Sequence, residues 1–303
     1  MRREHSRQPR IMYTLGGEPV PGEVRDPGLE GYRRSAPVRW GNGAADQRQH
    51  DIYGEVLDCA DQWLLSGGDL QPPLWSKLAE LASTAETAWR QPDQGIWEVR
   101  GEGRVFTYSA GMCQVALDRA AAIGERLGLP GPVDTWRAAA GKLRRLILEE
   151  SWDEDAQCLS EHLDGGGSLD ASLLALPLRK VVPAEHPRMT ATTAAVAERL
   201  SAGDGLLYRY LHDQSPDGLP GDEGAFLLCS FWLVDNLALQ GQIERAENLY
   251  DSLCARASPL GLLPEQIDPS TGAFMGNFPQ AFSHIGVIFG GVTLARAKAG
   301  DTA

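Results

Sequence analysis

The sequence predicts an all-α protein in which inner and outer helices alternate, the pattern of a helical toroid. Three observations carry this. Helical apolar periodicity covers nine segments, near residues 44–66, 72–90, 108–128, 132–151, 169–180, 187–201, 223–240, 242–257 and 281–297. No period-two apolar run of strand type competes with them. The clearer helices also come in two kinds, one apolar nearly all round and one with a single apolar stripe.

The helix at 223–240 (EGAFLLCSFWLVDNLALQ) is of the first kind, as a helix enclosed by neighbours should be. The next, at 242–257, places Ile243, Ala246, Tyr250, Leu253 and Ala257 on one stripe with charges elsewhere, as an outer helix should. The pair at 108–128 and 132–151 repeats this. Gly111, Met112, Val115, Ala116 and Ala120 make the first small and apolar, and Trp136, Ala140, Leu143 and Ile147 give the second one stripe. Before Ala44 the chain is different. Pro9, Pro19, Pro21, Pro27 and Pro37, with several glycines, interrupt the backbone too often for a long helix, so residues 1–43 are expected to form an extended strap and residues 44–300 the helical domain.

Composition narrows the partners. The 303 residues are 43% hydrophobic and 23% charged, with a net charge of −13, which disfavours nucleic acid and fits a neutral or cationic ligand. No run approaches a membrane span, and the polar start after Met1 has no secretory apolar region, so a cytoplasmic protein without a membrane partner is expected. Cys59, Cys113, Cys158, Cys229 and Cys254 are odd in number and never paired as CxxC. The six histidines show no HxxxH or HExxH spacing, and Gly165-Gly166-Gly167 lacks the Lys-Ser/Thr of a phosphate loop. Neither a metal nor a cofactor is expected.

Three connecting segments share a form: Gly95-Ile96-Trp97-Glu98, Gly205-Leu206-Leu207-Tyr208-Arg209 and Gly261-Leu262-Leu263-Pro264-Glu265. Each opens on Gly, continues through apolar residues and arrives at a charge, so repetition of the fold would gather these charges on one rim. Gly before apolar residues is also simply how helices end. Two rim carboxylates suit hydrolysis of a glycosidic bond, which needs one protonated acid and one ionised base or nucleophile. Glu98 follows Ile96 and Trp97, an aromatic wall that favours a protonated acid. Glu265 stands after Pro264 as the second candidate. Trp97, Arg209, Tyr210 and Asp213 are candidate sugar-binding residues, with Trp40 and Trp232 as further aromatics; Trp232, inside an apolar helix, is expected in the core. A single loop Glu is more often idle and solvated, and a loop Arg more often a surface ion-pair partner.

Several stretches resemble the bacterial glucoamylase-like and trehalase-like enzymes of glycoside hydrolase family 15. They are Asp51-Ile52-Tyr53-Gly54-Glu55-Val56, Gly95-Ile96-Trp97-Glu98-Val99-Arg100-Gly101, Leu169-Asp170-Ala171-Ser172-Leu173-Leu174, the run from Gly224 to Asp235, and Gly276-Asn277-Phe278-Pro279-Gln280-Ala281-Phe282-Ser283-His284. The resemblance implies an (α/α)6 toroid and an inverting release of glucose from α-glucosides such as maltooligosaccharide or trehalose. It makes Glu98 the general acid, Glu265 the general base, and Arg209 the grip on the non-reducing glucose. It implies departures too. About nine helices stand against twelve in a closed ring, and residues 1–43 have no counterpart of the family's Trp-x-Arg-Asp-Ala motif, so the expected toroid is incomplete, lacking its first helix pair and the family's amino-terminal β-sandwich. The alternatives are therefore a trehalase, or an inactive or companion fragment whose partner is a complementary amino-terminal chain or a homo-oligomer. A sugar epimerase, which needs paired rim bases, would have only His212 and His284 to offer.

Overall fold

Among the described residues nine helices, taken in chain order, alternate between the inside and the outside of an arc. The computed structural model describes residues 9–163, 168–211 and 223–301. The helices are α1 (Asp51–Leu65), α2 (Pro72–Ala88), α3 (Thr107–Leu127), α4 (Val133–Glu150), α5 (Ala175–Leu178, preceded by the 3-10 turn Ala171–Leu174), α6 (Pro187–Arg199), α7 (Leu227–Leu239), α8 (Ile243–Cys254) and α9 (Ala281–Lys298). Inner neighbours follow the order α1, α3, α5 with its 3-10 turn, α7 and α9, while α2, α4 and α8 pack outside them and α6 lies against α7 and the 3-10 turn. α1 and α9 do not pack on each other as the other inner neighbours do.

Burial follows the two helix kinds. α3 is buried from Thr107 through Leu117 without a break, and α7 buries most of its length. α4 buries only Trp136, Ala140, Leu143 and Ile147, the stripe expected from spacing, and α8 fully buries only Ala246 and Leu253. Each fully buried Leu or Ile contributes about 1.5–3 kcal/mol relative to exposure, so these stripes fix which face turns inward. On α1, Glu55, Asp58 and Asp61 recur every three residues and meet Arg179, Arg119 and Arg126 at 3.0, 2.8 and 2.7 Å.

α9 departs from this pattern. Ser283, Gly286, Gly290 and Leu294 face α7 and α8, while Phe282, Ile285, Ile288, Phe289 and Val292 are each between 42% and 62% exposed. Among the described residues no helix is long and apolar enough to cross a membrane.

Three boundaries differ from the sequence expectation. Residues 44–50 form turns ahead of α1, because the His50 N–H is taken by the Asp93 carboxylate at 2.8 Å instead of a preceding carbonyl. Residues 225–226 are a strand, since they pair with 266–267 across a long sequence separation. The 169–180 segment shortens to a 3-10 turn and one α turn, where Pro177 supplies no N–H.

Short antiparallel pairs sit between the helices: β1 (Val24–Asp26) with β2 (Val38–Trp40), β3 (Trp152–Asp153) with β4 (Cys158–Leu159), β5 (Ser201–Gly203) with β6 (Leu206–Leu207), and a three-stranded β7 (Ala225–Phe226), β8 (Gln266–Ile267) and β9 (Phe274–Met275). Apart from β1 and β2, all of these lie in connections that run from an outer to an inner helix. Inner-to-outer connections are short, residues 66–71, 128–132, 179–186 and 240–242. Short links make consecutive helices antiparallel neighbours, so the long outer-to-inner connections all emerge at the same end of the arc. They carry the candidate site.

Candidate active site

Gly95, Gly205 and Gly261, the glycines that open the three repeated connections, have φ of 64°, 78° and 75°. All three are left-handed, a conformation that costs a residue with a Cβ about 1 kcal/mol or more. The shared geometry is the physical basis of the shared wording, and each turn delivers its charged residue into an outer-to-inner connection.

Trp97 is the hub. Its indole N–H donates to Asp170 at 2.8 Å to Oδ2 and 3.1 Å to Oδ1. The Arg209 guanidinium lies over its ring, 5.1 Å from the centroid, and 5.1 and 5.3 Å from the centroids of Tyr210 and Phe226. Phe226 meets Trp97 edge-on at 5.5 Å and 65°, and Trp232 packs beside it at 6.2 Å. Trp232 is partly buried: it packs against the hydrophobic core, as expected, and also meets this cluster.

Arg209 is held by more than aromatic faces. Its Nε donates to Glu223 Oε2 at 2.9 Å, its Nη2 donates to Glu223 Oε1, and Nη2 also donates to the Tyr210 hydroxyl at 3.1 Å. Its side chain is only 12% exposed, so it is an enclosed fork and not the surface ion-pair partner that loop arginines usually are. Asp170 belongs to the same assembly through the backbone: it bridges Tyr210, and the Ala171 N–H donates to the Arg209 carbonyl at 2.8 Å.

Glu98 and Glu265 join this cluster through the backbone. Glu98 follows Trp97, is partly buried and has φ 58°. Gln47 Nε2 donates to its carbonyl at 3.2 Å and to that of Val99 at 3.0 Å. Among the described residues no hydrogen bond or ion pair engages the Glu98 carboxyl. Glu265 immediately precedes β8, and its carbonyl accepts from the Leu227 N–H at 3.1 Å, next to Phe226. The Asn277 backbone N–H and its side-chain Nδ2 both donate to Glu265 Oε2, at 2.9 and 3.0 Å, and the Glu265 N–H donates back to the Asn277 carbonyl at 2.9 Å. Among the described residues no hydrogen bond engages Oε1. Gly276 has φ 68°, and a Cβ there would come within 2.5 Å of Oε2, so glycine is required beside this carboxylate.

Other candidates fall elsewhere. Trp40 stands on β2, 63% exposed, with its indole N–H donating to Asp26 at 3.2 Å. Asp213 and His212 lie outside the described residues. His284 has both ring nitrogens engaged by backbone, Nδ1 with the Gln280 carbonyl at 2.7 Å and Nε2 accepting from the Leu263 N–H at 3.3 Å, which removes it as a base. Sequence reasoning did not single out Asp170, Glu223, Phe226 or Asn277 for the site. Asp170, Phe226 and Asn277 stand inside stretches that carry the family resemblance, and Asp170 also has the local signal of a capping residue before a turn.

Comparisons with known proteins identify the family. The family model for glycosyl hydrolases family 15 matches residues 3–289. The chain is 43% identical over 288 residues to a trehalase of Mycolicibacterium smegmatis, covering 95% of this chain and 43% of that protein. It is 37% identical over 259 residues to a trehalase of Thermoplasma volcanium, covering 86% of this chain and 41% of that one. The chain therefore spans less than half the length of these relatives. Among solved structures, a wild-type glycosidase superposes with a TM-score of 0.69 at 22% identity, over 86% of this chain and 72% of that one. The glucoamylase from Saccharomycopsis fibuligera gives 0.67 at 14% identity, over 84% and 71%. At those identities the likeness is one of fold, an all-helical arrangement of the glucoamylase (α/α)6 type. With the family model covering nearly the whole chain, this protein belongs to glycosyl hydrolases family 15.

Proposed function

We propose that the site hydrolyses an α-glucoside, with trehalose as the preferred substrate, by inversion. The observation that carries this is two glutamates in unlike surroundings on connections that meet at one aromatic–arginine cluster, Glu98 next to Trp97 in the chain and Glu265 with its backbone carbonyl bonded to Leu227, the residue after Phe226. Glu98, with no side-chain partner among the described residues, protonates the glycosidic oxygen. Glu265, clamped through Oε2 by Asn277, takes a proton from water at Oε1. The water oxygen bonds to the anomeric carbon as the carbon–oxygen bond to the leaving sugar breaks. Inversion calls for carboxyls roughly 6.5–9.5 Å apart, room for that water. Trp97, Arg209 and Tyr210 offer an aromatic wall and a hydrogen-bonding fork to the sugar. Trehalose ranks above maltooligosaccharide because the relatives of higher identity are trehalases, whereas the glucoamylase likeness is one of fold. Replacing Glu98 or Glu265 by Gln should lower glucose release from trehalose by roughly 100-fold or more with circular dichroism unchanged. Two variants with wild-type turnover would remove both assignments.

A second reading, that this chain works only with a further helical segment, is favoured by the exposed apolar stripe of α9. The inner helices between the two ends of the arc, α3, α5 and α7, have an inner neighbour on each side, and more than half of each trehalase relative lies outside the match. Adding the unmatched part of the Mycolicibacterium smegmatis trehalase should then raise turnover and make it sensitive to Ile288→Ser with Phe289→Ser. Equal turnover with and without it, or self-association through α9, would count against this reading.

A further inference from the structure

We propose that Asp170 is a positioning residue for the acid Glu98, acting through the Trp97 indole. The inference rests on the role given to Glu98 above.

Asp170 sits at the start of the 3-10 turn Ala171–Leu174 and is 3% exposed. Its Oδ1 accepts from the Ser172 N–H at 2.6 Å, an ordinary turn cap. Capping alone would be met by Asn, Ser or Thr at the same position. What capping leaves unexplained is the indole N–H of a tryptophan 73 residues away, which donates to Oδ2 at 2.8 Å and also reaches Oδ1 at 3.1 Å. An enclosed carboxylate is costly, and burial pushes the Asp170 carboxyl up from its ordinary value. Hydrogen bonds from Ser172 and Trp97 and the charge of Arg209 oppose that rise. The arrangement is expensive for a cap and economical for an anchor.

Glu98 needs an anchor. Its left-handed backbone is disfavoured for a residue with a Cβ and persists only where its surroundings enforce it. On one side Gln47 grips the carbonyls of Glu98 and Val99. On the other stands Trp97, whose ring is covered by Arg209 and bordered by Phe226 and Trp232. Those contacts are ring packing and a stacked cation, with no donor–acceptor direction of their own. The indole N–H to Asp170 is the directional bond, and it fixes where the next residue's carboxyl points.

The test uses Asp170→Asn, Trp97→Phe and the double variant in the full chain. Asn keeps an oxygen for the Ser172 N–H but puts an NH2 group where Oδ2, the nearer of the two indole acceptors, stood. For Asp170→Asn, kcat on trehalose should fall about 10-fold or more with KM within about 2-fold, and the double variant should be no slower than Trp97→Phe alone. Amide hydrogen exchange over residues 94–99 should rise about 10-fold in each variant, again without addition, while the melting temperature stays within about 3 °C. Additive losses, or unchanged exchange at 94–99, would overturn the proposal. Exchange is read without turnover, so a wild-type chain that fails to cleave trehalose would overturn the hydrolase reading, while the exchange result would still decide whether Asp170 holds this loop.

Discussion

The Arg209 guanidinium lies 5.1 Å from the Trp97 ring centroid while its Nε donates to Glu223 at 2.9 Å. One planar group thus joins the connection carrying Glu98 to the connection that leads into α7. Only an arginine can stack and fork at once. Lysine would keep the charge but lose both geometries. Arg209→Lys should therefore lower kcat/KM for trehalose by about 10- to 100-fold, and Glu223→Gln by less, since a single hydrogen bond survives. Steady-state kinetics measure this. A lysine variant within 2-fold of wild type would show that the fork is structural padding.

Buried carboxylates near the start of α1 predict a pH effect on stability. Asp51 is pushed up to about 7, by burial first and then by Asp93 and Glu55, and Asp93 is pushed up to about 6, chiefly by burial. Below the ordinary value of 3.8 both the folded and unfolded chains are protonated at Asp51. Between 3.8 and about 7 the unfolded chain has released that proton while the folded chain keeps it. Stability from this group is therefore fully present at the acid end and is lost as pH rises through the window. Asp51→Asn, neutral at every pH, should narrow the difference in melting temperature between pH 5 and pH 8. Parallel curves for variant and wild type would mean that Asp51 is charged in the fold.

Much of the architecture was legible in the sequence because it is written in local periodicity. The stripe of Trp136, Ala140, Leu143 and Ile147 on α4 and the all-round apolarity of α7 need no distant partner to be recognised. Gly95, Gly205 and Gly261 were legible for a similar reason, since only a left-handed turn demands glycine. What escaped was set by residues far apart in sequence. The turn at 44–50 depends on Asp93, the strand at 225–226 on 266–267, and Asp170 and Glu223 acquire their roles only when Trp97 and Arg209 arrive beside them. Trp232 packs against the core as expected, but a helix that is apolar all round does not reveal which face also meets the site.

The central claim is inverting hydrolysis of trehalose by Glu98 and Glu265, and the initial anomeric composition of the products tests it most directly. Both glucosyl units of trehalose are α-linked. Water attacking one anomeric carbon from the opposite face yields β-glucose, while the leaving sugar departs as α-glucose. Proton NMR of the first minutes of digestion should therefore show the two anomers in equal amounts, with glucose absent from the Glu98→Gln and Glu265→Gln digests. α-Glucose alone at the outset would mean retention, and would contradict the assignment of Glu265 as a base acting through water.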